Sequence, residues 1–277
     1  MKVLAPAKIN LYLKILGKRP DGYHDLETLM CPLALADEIE IEEKSSGIEL
    51  EVPGAPSHVP TGPDNLVWKA AQAVLDEAKI KKGVRMVLHK KVPTGGGLAG
   101  GSSDAAAVLL AVNKLFNAPL PFASLEKIAS GLGSDINFFL QPLPAVCTGR
   151  GEKVSPLALK NLPWVVLINP GFGVPTPWAY KTYAQHPSKG TEGKTFEWEK
   201  SVTLRNDLEP AVFSKYLWIA ETKSWLQKNP LVLDSLMSGS GATVFALVHD
   251  EKDAKTLARQ ASEYLGSSTW IHVTRAA

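Results

Sequence analysis

Residues 93–107 read Pro-Thr-Gly-Gly-Gly-Leu-Ala-Gly-Gly-Ser-Ser-Asp-Ala-Ala-Ala, and no other stretch restricts the fold so strongly. Gly95, Gly96, Gly97, Gly100 and Gly101 let the backbone reach positive φ, and their N–H groups can converge on an anion that a Cβ would hold off. Ser102 or Ser103 is placed to cap a helix, because Val108, Leu109, Val112, Leu115 and Phe116 then recur at helical spacing. The positive end of that helix points back at the loop, so the stretch predicts an anion site with phosphate as the anion. The competing reading is a flexible connector, but a connector seldom ends in a capped apolar helix.

The flanks separate this loop from two familiar phosphate loops. A P-loop closes with Gly-Lys-Ser/Thr, whereas Gly101 is followed by Ser102 and Ser103 with no lysine. Gly95, Gly97 and Gly100 match the dinucleotide pattern G-x-G-x-x-G letter for letter. The context then fails: after the helix comes Asn117-Ala118-Pro119-Leu120-Pro121 and a second helical pattern, where a dinucleotide fold needs a strand ending in an acid.

A chain of 277 residues can bury the core such a loop requires, and two medium domains suit its pattern. Thirty basic residues against 28 acidic ones leave a net charge of +2, which implies neither a nucleic-acid partner nor an acidic membrane. Cys31 and Cys147 sit in apolar surroundings without metal spacing and read as small core residues in a reducing compartment. The chain enters a strand by Val3 without a signal segment, and no apolar run reaches the length of a membrane span, so a cytoplasmic protein is expected.

From Lys8 the chain alternates, with Ile9, Leu11, Leu13 and Ile15 on one face and Lys8, Asn10, Tyr12 and Lys14 on the other. This is a half-buried strand whose polar face is either solvated or lines a site. Pro20-Asp21-Gly22 makes a turn that exposes Tyr23 and His24 at a loop tip. Strands follow at 38–42 and 48–52, and a proline-rich connection from Pro53 to Pro63 ends in Asp64, which can cap a helix carrying Val67, Trp68, Ala71, Val74 and Leu75. The strand Val84 to Lys90 leads into the glycine loop, with Lys90 and Lys91 read as solvated. Beyond the loop helix, Gly133-Ser134-Asp135 precedes an apolar run, so Asp135 is either a helix cap or a partly buried carboxylate that is paired or used.

A hairpin about Gly149-Arg150-Gly151 and a buried strand at 164–169 flank the expected boundary, giving domains 1–155 and 156–277. Thr176-Pro177 opens a helix, 187–200 reads as a polar surface loop, and 211–226 reads as one helix. A second glycine turn, Ser238-Gly239-Ser240-Gly241-Ala242-Thr243, feeds a strand, and a helix at 251–265 and a strand at 269–274 complete a ferredoxin-like α+β half.

Taken together, Pro6-Ala7-Lys8-Ile9-Asn10-Leu11, the loop 93–107 and the turn 238–243 resemble the three motifs of the GHMP kinase superfamily. Asp21-Gly22-Tyr23-His24, Asp64-Asn65-Leu66 and Gly133-Ser134-Asp135 make the chain most similar to the branch whose alcohol substrate carries a cytidine diphosphate. The resemblance implies an α+β two-domain fold, with an N-terminal ribosomal-S5-like α/β domain and a C-terminal ferredoxin-like domain. It also implies ATP as phosphoryl donor, Mg²⁺ entering as Mg–ATP and touching Ser102 or Ser103, and a small-molecule acceptor.

By the same resemblance Lys8 and Asp135 are catalytic, Asp135 as general base and Lys8 as the partner that orients it and stabilises developing charge. Pro93, Thr94, Gly95, Gly96, Gly97, Leu98, Ala99, Gly100, Gly101, Ser102 and Ser103 cradle the ATP phosphates, while Asn65 and Leu66 border the adenine. Asn10, Tyr23, His24 and Tyr180 contact the substrate, Tyr180 by stacking on the cytosine. Two positions depart from the family pattern: Asp104 follows the serine pair where some relatives carry an amide or small residue, and Asn137 stands where proline is common. A sibling kinase acting on homoserine or a mevalonate is the alternative, against which Tyr23-His24 stands. A catalytically dead binding protein would be expected to lack Lys8 or Asp135. The sequence does not set the oligomeric state.

Overall fold

The computed structural model describes residues 1–54, 59–117, 120–188, 190 and 192–277. Residues 55–58 of the proline-rich connection, 118–119 of the segment after the loop helix, and 189 and 191 of the polar loop lie outside the described residues. The described chain forms two compact units. One comprises Met1–Ala7, Leu35–Val92 and Ala99–Pro142; the other comprises Lys8–Ala34, Pro93–Leu98 and Leu143–Ala277. These units interleave along the chain, because β1 (Lys2–Lys18) and β2 (His24–Lys44) are long enough to belong to both. Alternation from Lys8 and the pattern at 38–42 mark only parts of these two strands.

In the first unit β3 (Ile48–Glu51) precedes α1 (Leu66–Glu77), and β4 (Gly83–His89) pairs antiparallel with Glu38–Lys44 of β2 and parallel with β3. The helix α1 starts one residue later than Asp64 would place it. Asn65 is the cap, its Oδ1 accepting the Val67 N–H at 2.8 Å while its Nδ2 donates to the Pro60 carbonyl at 2.7 Å. Val67, Ala71, Val74 and Leu75 of α1 are buried on one face as their spacing predicts, joined by Ala70, whereas Trp68 is only half-buried. Then come α2 (Gly100–Leu115), α3 (Phe122–Leu132) and α4 (Ile136–Leu140). Gly133 after α3 is extended, at φ 178.

In the second unit β5 (Ala145–Gly149) pairs with Leu26–Met30 of β2 and with β6 (Lys153–Pro156), forming the hairpin that Gly149 and Gly151 mark. Next are β7 (Trp164–Asn169), α5 (Thr176–Gln185), β8 (Thr195–Glu197), β9 (Ser201–Thr203) and β10 (Arg205–Asn206). Pro175, not Thr176, caps α5, since the Thr176 hydroxyl is engaged with Ser240 Oγ at 2.8 Å. Two helices, α6 (Glu209–Phe213) and α7 (Leu217–Lys228), replace the single helix expected over 211–226. They precede β11 (Val232–Met237), β12 (Val244–Val248), α8 (Glu251–Leu265) and β13 (Trp270–Thr274).

The strands β7, β11, β12 and β13 form an antiparallel sheet in the order β11-β12-β7-β13, the ferredoxin-like arrangement that the sequence predicts. Val166 and Ile168 of β7, Val244, Ala246 and Val248 of β12, and Ala254, Leu257 and Ala261 of α8 are fully buried in one core. That core fixes the ends of β11 and β12, and therefore the turn between them.

Candidate active site

The second unit brings together three stretches widely separated in sequence. Two glycines of the loop lie edge to edge with the turn between β11 and β12, where Thr243 N–H donates to the Gly96 carbonyl at 3.1 Å. A Cβ on Gly96 would stand 2.6 Å from Asn169 Nδ2, and one on Gly97 would stand 2.1 Å from the Ser238 carbonyl oxygen. Gly97 also has φ +77, so neither conformation nor space admits a side chain there. Asn169 Nδ2 donates to Thr243 Oγ1 at 2.9 Å and holds this contact from β7.

The Gly97 carbonyl accepts from Lys8 Nζ at 2.8 Å and from Ser238 Oγ at 2.9 Å. Lys8 also donates through Nζ to Asn10 Oδ1 at 2.6 Å, and its backbone N–H donates to the Leu98 carbonyl at 3.1 Å. Asn10 Nδ2 passes a bond to Thr28 Oγ1 at 2.8 Å, and that hydroxyl donates to the Tyr12 carbonyl at 2.6 Å. The first part of the polar face of β1 is therefore covered, Lys8 being 3% and Asn10 2% exposed, while Tyr12 and Lys14 farther along are only half-buried. A buried ammonium needs such partners, and the chain supplies them from the glycine loop and its own strand. Sequence reasoning picks out Lys8 and Asn10 but not Thr28 or Ser238, whose parts depend on strand pairing and on the turn.

A second cluster of the same unit is aromatic. The His24 ring stacks on Tyr180, with centroids 5.3 Å apart, and meets Tyr183 edge-on at 6.3 Å. Burial, followed by the nearby Lys18 charge, lowers the His24 pKa from its ordinary value, which favours a neutral imidazole. Tyr23 is 54% exposed and lies under the Arg150 guanidinium, 4.9 Å from its ring centre. Tyr23 and His24, adjacent in the chain, and Tyr180 far from them in sequence thus all belong to this unit.

In the first unit the start of α2 carries the remaining loop residues. Neither serine caps the helix, because Ala99 at φ 55, ψ 29 is the cap and the helix begins at Gly100. Ser103 N–H makes the first helical bond, to Ala99 O at 3.0 Å, leaving the N–H groups of Gly100, Gly101 and Ser102 without helical acceptors. Ser103 is 1% exposed, and its Oγ has no hydrogen-bond partner among the described residues. Ser102 is half-buried and Gly101 exposed.

Beneath this turn is an ion cluster that sequence reasoning misses. Lys90, read as solvated, is largely covered, its side chain 11% exposed; its Nζ bonds Asp37 Oδ2 and reaches Asp104 Oδ2 at 2.8 Å. Asp37 Oδ1 also accepts the Lys91 N–H at 2.5 Å and the Val92 N–H at 2.9 Å. Burial raises the Asp104 pKa to about 7, with Lys90 opposing the rise and Asp37 adding to it. Burial works against the Lys90 charge as well, but Asp104 and Asp37 outweigh it and raise its pKa. The signal available in the sequence was spacing: Asp104, Val108 and Val112 share one helical face, so Asp104 had to be buried with them.

Asn65 and Leu66 begin α1, and the Asn65 side chain is already occupied as the cap. Asp135 is half-buried at the position before α4, and its carboxylate makes no capping bond there. Lys8 and Asp135 belong to different compact units.

In one unit a second glycine turn braces the glycine loop and a buried lysine bonds the loop carbonyl; in the other, the first N–H groups of α2 have no helical acceptor. The family model of the GHMP kinases N terminal domain matches residues 65–140 and that of the GHMP kinases C terminal matches 196–266. The chain belongs to the GHMP kinase family, whose members are ATP-dependent kinases of small molecules.

Within that family, it is 49% identical over 276 residues to 4-diphosphocytidyl-2-C-methyl-D-erythritol kinase of Methylacidiphilum infernorum, a match covering 97% of this chain and 94% of that one. The kinase of the same name from Geobacter sulfurreducens is 40% identical over 272 residues, with 96% and 95% covered. The crystal structure of a 4-(cytidine 5'-diphospho)-2C-methyl-D-erythritol kinase superposes with a TM-score of 0.79 at 34% identity, both chains being covered in full. A homoserine kinase from Cytophaga hutchinsonii shares the fold, with a TM-score of 0.72 at 16% identity, 100% of this chain and 94% of that one being covered.

Proposed function

We propose that this chain transfers the γ-phosphoryl group of ATP to the 2-hydroxyl of 4-(cytidine 5'-diphospho)-2-C-methyl-D-erythritol, a step of non-mevalonate isoprenoid precursor synthesis. One observation carries the reading: the Lys8 ammonium is held 2.8 Å from the Gly97 carbonyl, a fixed cation at the phosphate loop. Phosphoryl transfer requires little covalent participation from the protein; it requires positioning and charge stabilisation, which this arrangement supplies.

In this reading the loop from Pro93 to Gly101 and the first turn of α2 bind the phosphates through backbone N–H groups. Asp135 takes the proton of the attacking hydroxyl as its oxygen bonds to phosphorus and the bond to the ADP oxygen breaks. Lys8 stabilises the negative charge that develops on the transferring group. The unpartnered Ser103 hydroxyl suits a phosphate oxygen or the Mg²⁺ of Mg–ATP, with Ser102 beside it. Bound there, the ion would neutralise phosphate charge.

Asn65 and Leu66 border the adenine, Asn65 by fixing the start of α1 instead of donating a bond of its own. Asn10 contacts the acceptor, and Tyr23, His24 and Tyr180 hold the cytidine. The same reading keeps 1–155 and 156–277 as functional halves. It places the protein in the cytoplasm, where Cys31 and Cys147, buried and not joined in a disulfide, are at home. Among the described residues no helix is long and apolar enough to cross a membrane.

The test is ADP release, measured by a coupled assay, with the cytidine diphosphate alcohol, its uridine analogue, homoserine and mevalonate as acceptors. Turnover confined to the first supports the reading. Preference for homoserine or mevalonate would replace it with a sibling kinase.

A further inference from the structure

The second glycine turn, Ser238–Thr243, has no role in the chemistry above, yet it sits directly behind Lys8. A Cβ on Gly239 would lie 3.3 Å from Lys8 Nζ, 3.4 Å from Asn10 Oδ1 and 3.4 Å from the Gly97 carbonyl oxygen. Whatever fixes Gly239 therefore fixes the ground on which the lysine, its strand partner and the loop carbonyl meet.

That fixture is Asn206, which is fully buried. Its Nδ2 donates both protons to the turn, to Met237 O at 2.7 Å and to Gly239 O at 2.7 Å. Its Oδ1 accepts the Leu208 N–H at 2.9 Å, so the carboxamide has one admissible orientation. At the same time β10 pairs in parallel with β1, Asn206 opposite Leu13, and the next residue donates its Asp207 N–H to Leu13 O at 3.0 Å. The strand that carries Lys8 and the turn that backs it are thus tied together through one side chain.

We propose that Asn206 is a positioning residue for Lys8, locking the Ser238–Gly239 turn to β1 so that the ammonium and the Gly97 carbonyl meet at hydrogen-bond distance. A carboxylate in its place would oppose two carbonyl oxygens, and a methyl group would leave both without their donor. The proposal rests on the role assigned to Lys8 under the proposed function. The two can fail separately.

The experiment compares wild type, Asn206→Ala, Lys8→Met and the double variant. It measures the single-turnover rate with saturating Mg–ATP and the cytidine diphosphate alcohol, the ADP dissociation constant by calorimetry, and thermal unfolding. We expect Asn206→Ala to slow turnover by about 10- to 100-fold, the cost of a displacement of about 1 Å, while ADP affinity stays within about threefold. In the Lys8→Met background the same substitution should add no further loss, since the group it positions is gone.

An equal loss in both backgrounds would mean general damage and would overturn the positioning role. Normal turnover by Asn206→Ala beside a slow Lys8→Met overturns it too, leaving Lys8 in place. Normal turnover by Lys8→Met removes the lysine's assignment and the proposal with it. Should Asn206→Ala fail to fold, Asn206→Ser, which keeps one donor, is judged by the same criteria.

Discussion

Lys8 and Ser238 donate to one acceptor, the Gly97 carbonyl, from 2.8 and 2.9 Å. A carbonyl oxygen has two lone pairs, and here a cation and a hydroxyl engage it from a strand and a turn far apart in sequence. The peptide that follows Gly97 in the loop is thereby anchored beside a positive charge. Lys8→Met should remove most of the charge stabilisation, lowering kcat by about 10² to 10³ while ADP affinity stays within about threefold. Calorimetry showing the reverse, weakened nucleotide binding with normal kcat, would move Lys8 into the nucleotide site.

Asp135 presents a half-buried carboxylate that is not consumed in capping α4. Asp135→Asn keeps shape and removes basicity, so kcat should drop by about 10² to 10⁴ with ATP binding retained. Steady-state kinetics near wild-type values would exclude it as the base.

Gly101 offers a cleaner probe of the phosphate cradle than Gly97, whose Cβ would strike backbone at 2.1 Å. A Cβ at Gly101 meets nothing nearer than Leu66 Cδ1 at 4.0 Å. Gly101→Ala should therefore stabilise the fold by up to about 1 kcal/mol through helix propensity. If phosphate oxygens approach this backbone, ATP affinity should fall about tenfold in the same variant. A raised melting temperature with unchanged affinity would leave Gly101 outside the cradle.

The Asp37–Lys90–Asp104 cluster predicts two stability effects. Lys90→Met strands two buried carboxylates and should cost about 3 to 5 kcal/mol in urea unfolding. Burial pushes the Asp104 carboxyl up to about 7, well above the usual carboxylate range, so the folded state holds its proton more tightly than the unfolded chain does. Its contribution to stability is complete below the usual carboxylate range and is lost as pH rises toward 7. Asp104→Asn mimics the protonated form, so its stability relative to wild type should improve between pH 5 and pH 8; a constant difference would show that Asp104 does not titrate there.

The stacked His24 and Tyr180 rings separate recognition from packing. Uracil exchanges an amino donor for a carbonyl acceptor, which stacking cannot sense, so under the proposed function discrimination between cytidine and uridine substrates should fall to His24 and nearby backbone. Wild type should prefer cytidine by about 2 to 5 kcal/mol in kcat/KM. His24→Ala should narrow that gap, whereas Tyr180→Ala should weaken both substrates by about 1 to 3 kcal/mol. Equal use of both by wild type would refute the assigned substrate class.

The sequence by itself determined what depends on neighbours along the chain: the glycine loop ahead of α2, the alternation of β1, the buried face of α1 and the order of the ferredoxin-like half. Periodicity and turn chemistry act over a few residues, so they are legible there. Tertiary structure decided which polar groups met. Lys90 read as a solvated lysine because nothing near it in sequence announces Asp37 or Asp104, and Lys8 and Asn10 of β1 became buried only when the glycine loop and the turn at Ser238 closed on them. Caps shifted by one to three residues for the same reason: Asn65 outcompeted Asp64 through the Pro60 carbonyl, and the αL turn at Ala99 started α2 ahead of both serines. A side chain's hydrogen-bond capacity can be read from its type, but its partner is chosen by packing between segments that the chain order does not bring together.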